Sequence, residues 1–166
     1  MKAARVLLVR IFAERAVLRS CSVDAIIRAS VRRFAGEFIT HRLKLDYTPL
    51  DVSCVTDEKW LRFVVEQVLS NALKYTREGG ISIYLEAPKT LVIRDTGIGI
   101  APEDLPRIFE KGFTGYNGRG DQKASGLGLY LCRRVCAKLG HTITAESTLD
   151  HGTAIRIGLD QQAVTE

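Results

Sequence analysis

Asn71, Lys74 and Tyr75 stand at i, i+3 and i+4 within EQVLSNALKYT, so on a helix they share one face. An amide, an amine and a phenol on one stripe can hold a metal ion, a phosphate and an aromatic base. The competing reading is a solvated helix face. Asp95-Thr96-Gly97-Ile98-Gly99-Ile100 follows Leu91 to Arg94, which reads as a strand. A carboxylate at a strand end followed by two glycines lets the backbone pass close to a ligand. Such a carboxylate could accept a hydrogen bond from an exocyclic amine such as that of adenine. An ordinary Asp-Gly turn is the alternative, but Ile98 and Ile100 weigh against it and suit a pocket wall.

Ser125-Gly126-Leu127-Gly128-Leu129 opens a further helix. A glycine inside a helix costs about 1 kcal/mol relative to alanine, so two in a first turn imply close approach to the backbone. Free N–H groups and a partial positive charge at a helix N-terminus make phosphate the natural guest. Close helix–strand packing is the weaker account. Between these elements, Phe109 and Phe113 flank Glu110-Lys111-Gly112, and Lys111, Arg119 and Lys123 bring positive charge to a glycine-rich loop over 110–125. A polar loop with apolar anchors is the competing reading there. The chain contains no GxxxxGK[ST] and no HRD or DFG set, which excludes a P-loop and a protein kinase of the eukaryotic type.

The elements that must position these residues follow from hydrophobic spacing. Residues 4–19 read as helix, with Val6, Val9, Ala13, Val17 and Leu18 roughly on one face. Ser22 is placed to cap a second helix, reaching about Phe38, whose Val23, Ile26, Ile27, Val31, Phe34 and Phe38 fall at three- and four-residue steps. Leu43, Leu45 and Tyr47 alternate with Lys44 and Asp46 as a half-buried strand, and Val52 to Val55 forms another. Thr56 or Asp57 caps a long helix from about Glu58 to Tyr75. Ile81 to Leu85 and Leu91 to Arg94 are strands around a bend at Pro88. A helix is expected from Pro102 to Ile108, and another from Gly126 to Leu139, stopped by Gly140. His141 to Ser147 and Thr153 to Leu159 read as a terminal hairpin. Strands and helices interleave in this order, which predicts a two-layer α/β sandwich: a mixed sheet with helices on one face.

Length and composition bound the class. A chain of 166 residues, 46% hydrophobic and 26% charged, suits one globular domain with a full core. No apolar run approaches the ~20 residues that span a bilayer, and Arg10 interrupts the most apolar stretch. A signal peptide is not expected, and a cytoplasmic location is. Residues 1–44 hold ten Lys/Arg against three acids, for +7, and the rest of the chain carries −2, so the basic character behind the net charge of +5 resides in the N-terminal segment. Helical spacing beside apolar residues gives those cations the pattern of a solvated amphipathic face, with no nucleic-acid partner. Cys21, Cys54, Cys132 and Cys136 form no disulfide framework, and Cys132 and Cys136 read as small hydrophobes.

Taken in order, SNALKYT, DTGIGI, IFEKGFTG and SGLGL resemble the N box, first glycine box, F box and second glycine box of the ATP-binding domain of bacterial sensor histidine kinases. That superfamily includes DNA gyrase, heat-shock chaperone ATPases, mismatch-repair ATPases and anti-sigma serine kinases. The likeness spans about Phe38 to Leu159. FITHRLKL and FEKGFTGYNGR are similar to kinases that sense antimicrobial peptides alongside a transporter.

The resemblance implies roles. Asn71, with Gln67, would ligate Mg²⁺ at the phosphates of ATP. Lys74 would approach the phosphates, making Asn71 and Lys74 the catalytic pair. Asp95 would bind the adenine amino group, supported by Thr153, and Tyr75 would meet the adenine or ribose. Gly97, Ile98, Gly99 and Ile100 would line or free the base site. Phe113 and Thr114 would belong to the lid, and Ser125, Gly126, Leu127 and Gly128 would offer backbone to the phosphates. Position 67 is a Glu that activates water in ATP-hydrolysing relatives. Gln67 cannot act as that base, which favours transfer to another acceptor. Glu66 points about 100° away on an ideal helix.

A sensor kinase also carries a dimerisation domain with a phosphorylatable histidine, and His41, His141 and His151 lack its context. The expectation is therefore a catalytic domain over residues 22–166, preceded at 1–21 by the residual helix of a dimerisation or linker segment. Its partners would be a histidine-bearing domain of a membrane-anchored parent protein and a response regulator. A free-standing anti-sigma-type serine kinase and a nucleotide-sensing interaction module are the alternatives.

Overall fold

The computed structural model describes residues 2–114 and 126–159. The chain opens with α1 (Lys2–Ala13), β1 (Arg19–Ser22) and α2 (Val23–Thr40). Strands β2 (Lys44–Tyr47) and β3 (Ser53–Thr56) lead into α3 (Glu58–Tyr75), followed by β4 (Gly80–Glu86) and β5 (Thr90–Asp95). A single 3₁₀ turn (Leu105–Arg107) precedes α4 (Gly128–Leu139), β6 (Thr142–Thr148) and β7 (Gly152–Gly158). The main sheet has five strands in the order β2-β4-β5-β7-β6. Its β2–β4 pair is parallel and its other pairs are antiparallel. The mixed sheet with its helical layer is the α/β sandwich that the element order predicts.

Local chemistry sets the helix boundaries. Ser22 Oγ accepts from Ala25 N at 3.2 Å and starts α2, which buries Val23, Ile26, Ile27, Phe34 and Phe38. Asp57 Oδ1 accepts from Lys59 N at 3.1 Å and Trp60 N at 3.4 Å and starts α3. Leu61, Val64, Val65, Val68, Leu69, Ala72 and Leu73 then form its buried stripe. Gly140, at φ +77°, ends α4 in the left-handed conformation that glycine adopts without a Cβ penalty. These stripes meet the inward residues of the sheet, Ile81, Ile83, Leu91, Ile93, Ile155 and Ile157, in one core.

Three sequence expectations are corrected. The first helix ends at Ala13, not at residue 19, because residues 19–22 pair with β3 in an antiparallel register from Arg19–Thr56 to Ser22–Ser53. Long-range pairing there overrides local spacing. Segment 102–108 is not a helix. Asp104 N and Leu105 N both bond to Ala101 O, and Pro106, having no N–H, cannot extend the ladder. The last helix begins at Gly128, because Gly126 sits at φ +67° and lies outside helical space.

The N-terminal segment is fastened to the rest of the fold. Asp57 Oδ2 accepts from Val17 N at 2.9 Å, and Lys59 bridges to Glu14 at 3.0 Å. Lys138 donates to the carbonyl oxygens of Ile11 and Glu14 near the end of α1. Among the described residues, no helix is long and apolar enough to cross a membrane.

Candidate functional site

A cavity of about 910 Å³ opens between the C-terminal half of α3, the ends of β5 and β7, and the start of α4. On α3, Gln67 and Asn71 lie one turn apart, and both line it with Lys74 and Tyr75. The opposite face of α3 is committed to the core, so the helix can spend this stripe on polar atoms. Lys74 Nζ lies 5.3 Å from the centre of the Tyr75 ring.

The floor is built around Asp95, the last residue of β5. Its Oδ1 accepts from Gly97 N at 2.8 Å and Thr153 N at 3.2 Å. Among the described residues Oδ2 takes no hydrogen bond, and Asp95 lines the cavity. Burial pushes the carboxyl above the usual aspartate range, and the two backbone donors pull it partly back. A half-buried carboxylate with one oxygen locked and the other open is an acceptor waiting for an N–H donor.

The loop after β5 is tied to the end of α3 by Ile98 N, which donates to Tyr75 O at 3.1 Å. Gly97 has no room for a side chain: a Cβ would meet Tyr75 O and lie 2.9 Å from Asp95 Oδ1. Thr76 Oγ1, buried beside it, has no hydrogen-bond partner among the described residues. Gly99 at φ +71° passes under Thr148 O, and Ile98, Gly99 and Ile100 line the cavity. Gly97 stands behind them.

At the other end, Gly126 and Gly128 line the cavity and Leu127 packs against the core. Leu127, the residue before α4, provides no side-chain cap, so its first turn presents backbone to the cavity. A Cβ at Gly128 would stand 3.0 Å from Gln67 Oε1, which brings the helix mouth against the amide pair of α3. Phe113 and Thr114 line the opening, and Arg107 stacks over the Phe113 ring at 4.5 Å. Phe109 lies under Arg133 at 5.9 Å, and Lys111 is exposed and outside the lining. Arg119, Lys123 and Ser125 lie outside the described residues.

The structure thus brings Gln67, Asn71, Lys74, Tyr75, Asp95 and Thr153 to one cavity. Two positioning residues escape sequence reasoning. Ser147 on β6 accepts from Ile100 N at 2.8 Å and contacts Thr153 Oγ1 at 2.8 Å. Gly152, at φ +93°, allows β7 to pass directly over Asp95 O. The Asp150-His151-Gly152 run marks a turn, but nothing local marks that crossing. Glu66 is no hidden base, since Arg33 at 2.6 Å and Arg62 at 2.8 Å hold its carboxylate away from the cavity. None of the three histidines lines the cavity; His141 is buried, with Nε2 2.9 Å from Thr56 Oγ1.

Residues 56–163 match the family described as histidine kinase-, DNA gyrase B-, and HSP90-like ATPase. The chain belongs to this family. Among its relatives, the sensor histidine kinase YxdK of Bacillus subtilis is 30% identical over 148 residues, covering 84% of this chain and 45% of YxdK. The sensor protein kinase GraS of Staphylococcus aureus (strain JH1) is 44% identical over 105 residues, covering 61% of this chain and 30% of GraS. The chain therefore spans less than half the length of these curated relatives. Full-length ShkA, crystallised in complex with AMPPNP, shares the fold at a TM-score of 0.79 and 21% identity, over 96% of this chain and 35% of ShkA.

The cavity fits what an ATPase of this family requires. Amide oxygens at Gln67 and Asn71 are hard donors that suit Mg²⁺. The glycine-lined mouth of α4 leaves backbone accessible to phosphate, and Asp95 offers an acceptor to a base amine.

Proposed function

We propose that this domain binds Mg²⁺·ATP and donates the γ-phosphoryl group to a histidine on a separate helical dimerisation domain, from which a response regulator is phosphorylated. The observation that carries the reading is the Asp95 carboxylate, with Oδ1 locked by Gly97 N and Thr153 N and Oδ2 left to a cavity that also holds Asn71 and the mouth of α4. Asp95 and Thr153 orient the base, Lys74 and the α4 backbone hold phosphate, and Asn71 with Gln67 places the metal. Bound Mg²⁺ would supply neutralisation of phosphate charge. Gln67 cannot take a proton from water and Glu66 is held by two arginines, so neither of these α3 residues supplies a base for hydrolysis. Positioning and charge neutralisation are then the means of transfer.

In this reading, residues 1–21 are the close of a linker from the histidine-bearing domain, and the parent protein is membrane-anchored with this domain in the cytoplasm. The likeness of FITHRLKL and FEKGFTGYNGR to kinases that sense antimicrobial peptides belongs to the same reading. The test has two steps. Asp95→Ala should abolish binding of a fluorescent adenine nucleotide while circular dichroism shows an intact fold; unchanged affinity refutes the pocket. The domain alone should acquire no label from γ-labelled ATP, but should transfer acid-labile phosphate to a supplied histidine-bearing domain. Acid-labile label on His41, His141 or His151 would contradict the separate acceptor, and acid-stable phosphoserine on an added antagonist protein would point to an anti-sigma-type kinase.

A further inference from the structure

The hydroxyl of Ser147 makes three contacts. Ile100 N donates to it at 2.8 Å, it lies 2.9 Å from Gly152 O, and it lies 2.8 Å from Thr153 Oγ1. A serine hydroxyl carries one hydrogen and two lone pairs. Ile100 N–H can only donate, so it occupies one lone pair. Gly152 O can only accept, so it takes the hydrogen. The remaining lone pair faces Thr153, whose hydroxyl must therefore be the donor in that contact. Ser147 and Thr153 are directly opposite in the β6–β7 register, so their side chains share a face and this contact is built into the sheet.

The consequence reaches the cavity. Thr153 lines it, and its hydroxyl hydrogen is turned away toward Ser147. What Thr153 Oγ1 presents is lone pairs, next to Asp95, which accepts the Thr153 backbone N–H. The Asp95 and Thr153 side chains then both face a base as acceptors. At the 6-position, an amine brings two N–H donors to Asp95 and Thr153, whereas a 6-oxo purine brings a carbonyl to which neither side chain can donate, its N–H on that edge being moved to N1.

We propose that Ser147 is a specificity-determining positioning residue: by holding the Thr153 hydroxyl as an acceptor, it makes the site discriminate 6-amino from 6-oxo purine nucleotides. This rests on the nucleotide reading above. Ser147 does not line the cavity and acts through Thr153. Without it, the Thr153 hydroxyl is free to rotate and donate to a 6-oxo group.

The experiment measures dissociation constants of the full chain for ATP and for inosine triphosphate by displacement of a fluorescent nucleotide, with Mg²⁺ present. Ser147→Ala should weaken ATP and spare or tighten inosine triphosphate, lowering the preference for ATP by about tenfold. Ser147→Thr, which keeps a hydroxyl, should retain the preference. Thr153→Val should also lower it, and Ser147→Ala added to Thr153→Val should change it no further. A Ser147→Ala variant that weakens both nucleotides equally, or adds its full effect on top of Thr153→Val, overturns the proposal. Wild-type protein that binds neither nucleotide overturns the reading on which it rests.

Discussion

Replacing Asp95 by Asn separates what this residue does for the fold from what it does for a ligand. Both backbone donors, Gly97 N and Thr153 N, converge on one oxygen, at 2.8 and 3.2 Å. In the variant the amide oxygen must occupy that position, so the NH₂ group faces the cavity. A base amine there would lose a charge-assisted bond of roughly 1.5–3 kcal/mol and meet an unpaired donor costing roughly 1–3 kcal/mol more. Affinity should fall by about a hundredfold to ten-thousandfold. Stability should move the other way. The folded-state carboxyl is raised above its ordinary value of 3.8, mainly by burial. The folded chain therefore holds that proton more tightly than the unfolded chain, and stability is lost as pH rises through the raised value. Asparagine has no such proton. Its advantage is absent below about 3.8 and complete once pH exceeds the folded value. At pH 7.5 Asp95→Asn should be at least as stable as wild type in urea while failing to bind adenine nucleotide in a titration calorimeter. Affinity within threefold of wild type, or a loss of more than about 1 kcal/mol in stability, would refute the reasoning.

Other perturbations follow from the same geometry. Gly152→Ala places a Cβ against Asp95 O at φ +93° and should cost about 2–5 kcal/mol from left-handed strain plus overpacking, read as a lower urea midpoint with reduced nucleotide affinity. Asp57→Ala removes the cap of α3 and orphans Val17 N; it should cost about 2–4 kcal/mol and expose the 14–19 segment to trypsin, whose cleavage at Arg15 or Arg19 mass spectrometry detects. Burial holds the pKa of His141 below its ordinary 6.5, so the unfolded chain binds that proton first as pH falls. Its contribution to stability is complete above pH 6.5 and declines as pH drops toward the lowered folded value. Urea titrations from pH 8 to 5.5 should show that decline in wild type and a shallower one in His141→Gln.

The sequence by itself determined what is local. The bounds of α3 at Glu58 and Tyr75, the cap at Ser22 and the stop at Gly140 were legible because an N-cap oxygen, an apolar period and a left-handed glycine act within a few residues. The order of the glycine and asparagine motifs was equally legible, since spacing along one chain is a property of the sequence. What only the tertiary structure decided is what meets across distance. β1 exists because residues 19–22 find residues 53–56, and nothing in RSCS alone prefers a strand. Asp95 becomes a directed acceptor because β7 delivers Thr153 N from 58 positions away. Ser147 gains a role because Ile100, 47 positions earlier, donates to it. A hydrogen bond is short-ranged and directional, so its partners are fixed by the packing of helices on the sheet, which no periodicity in a single segment specifies.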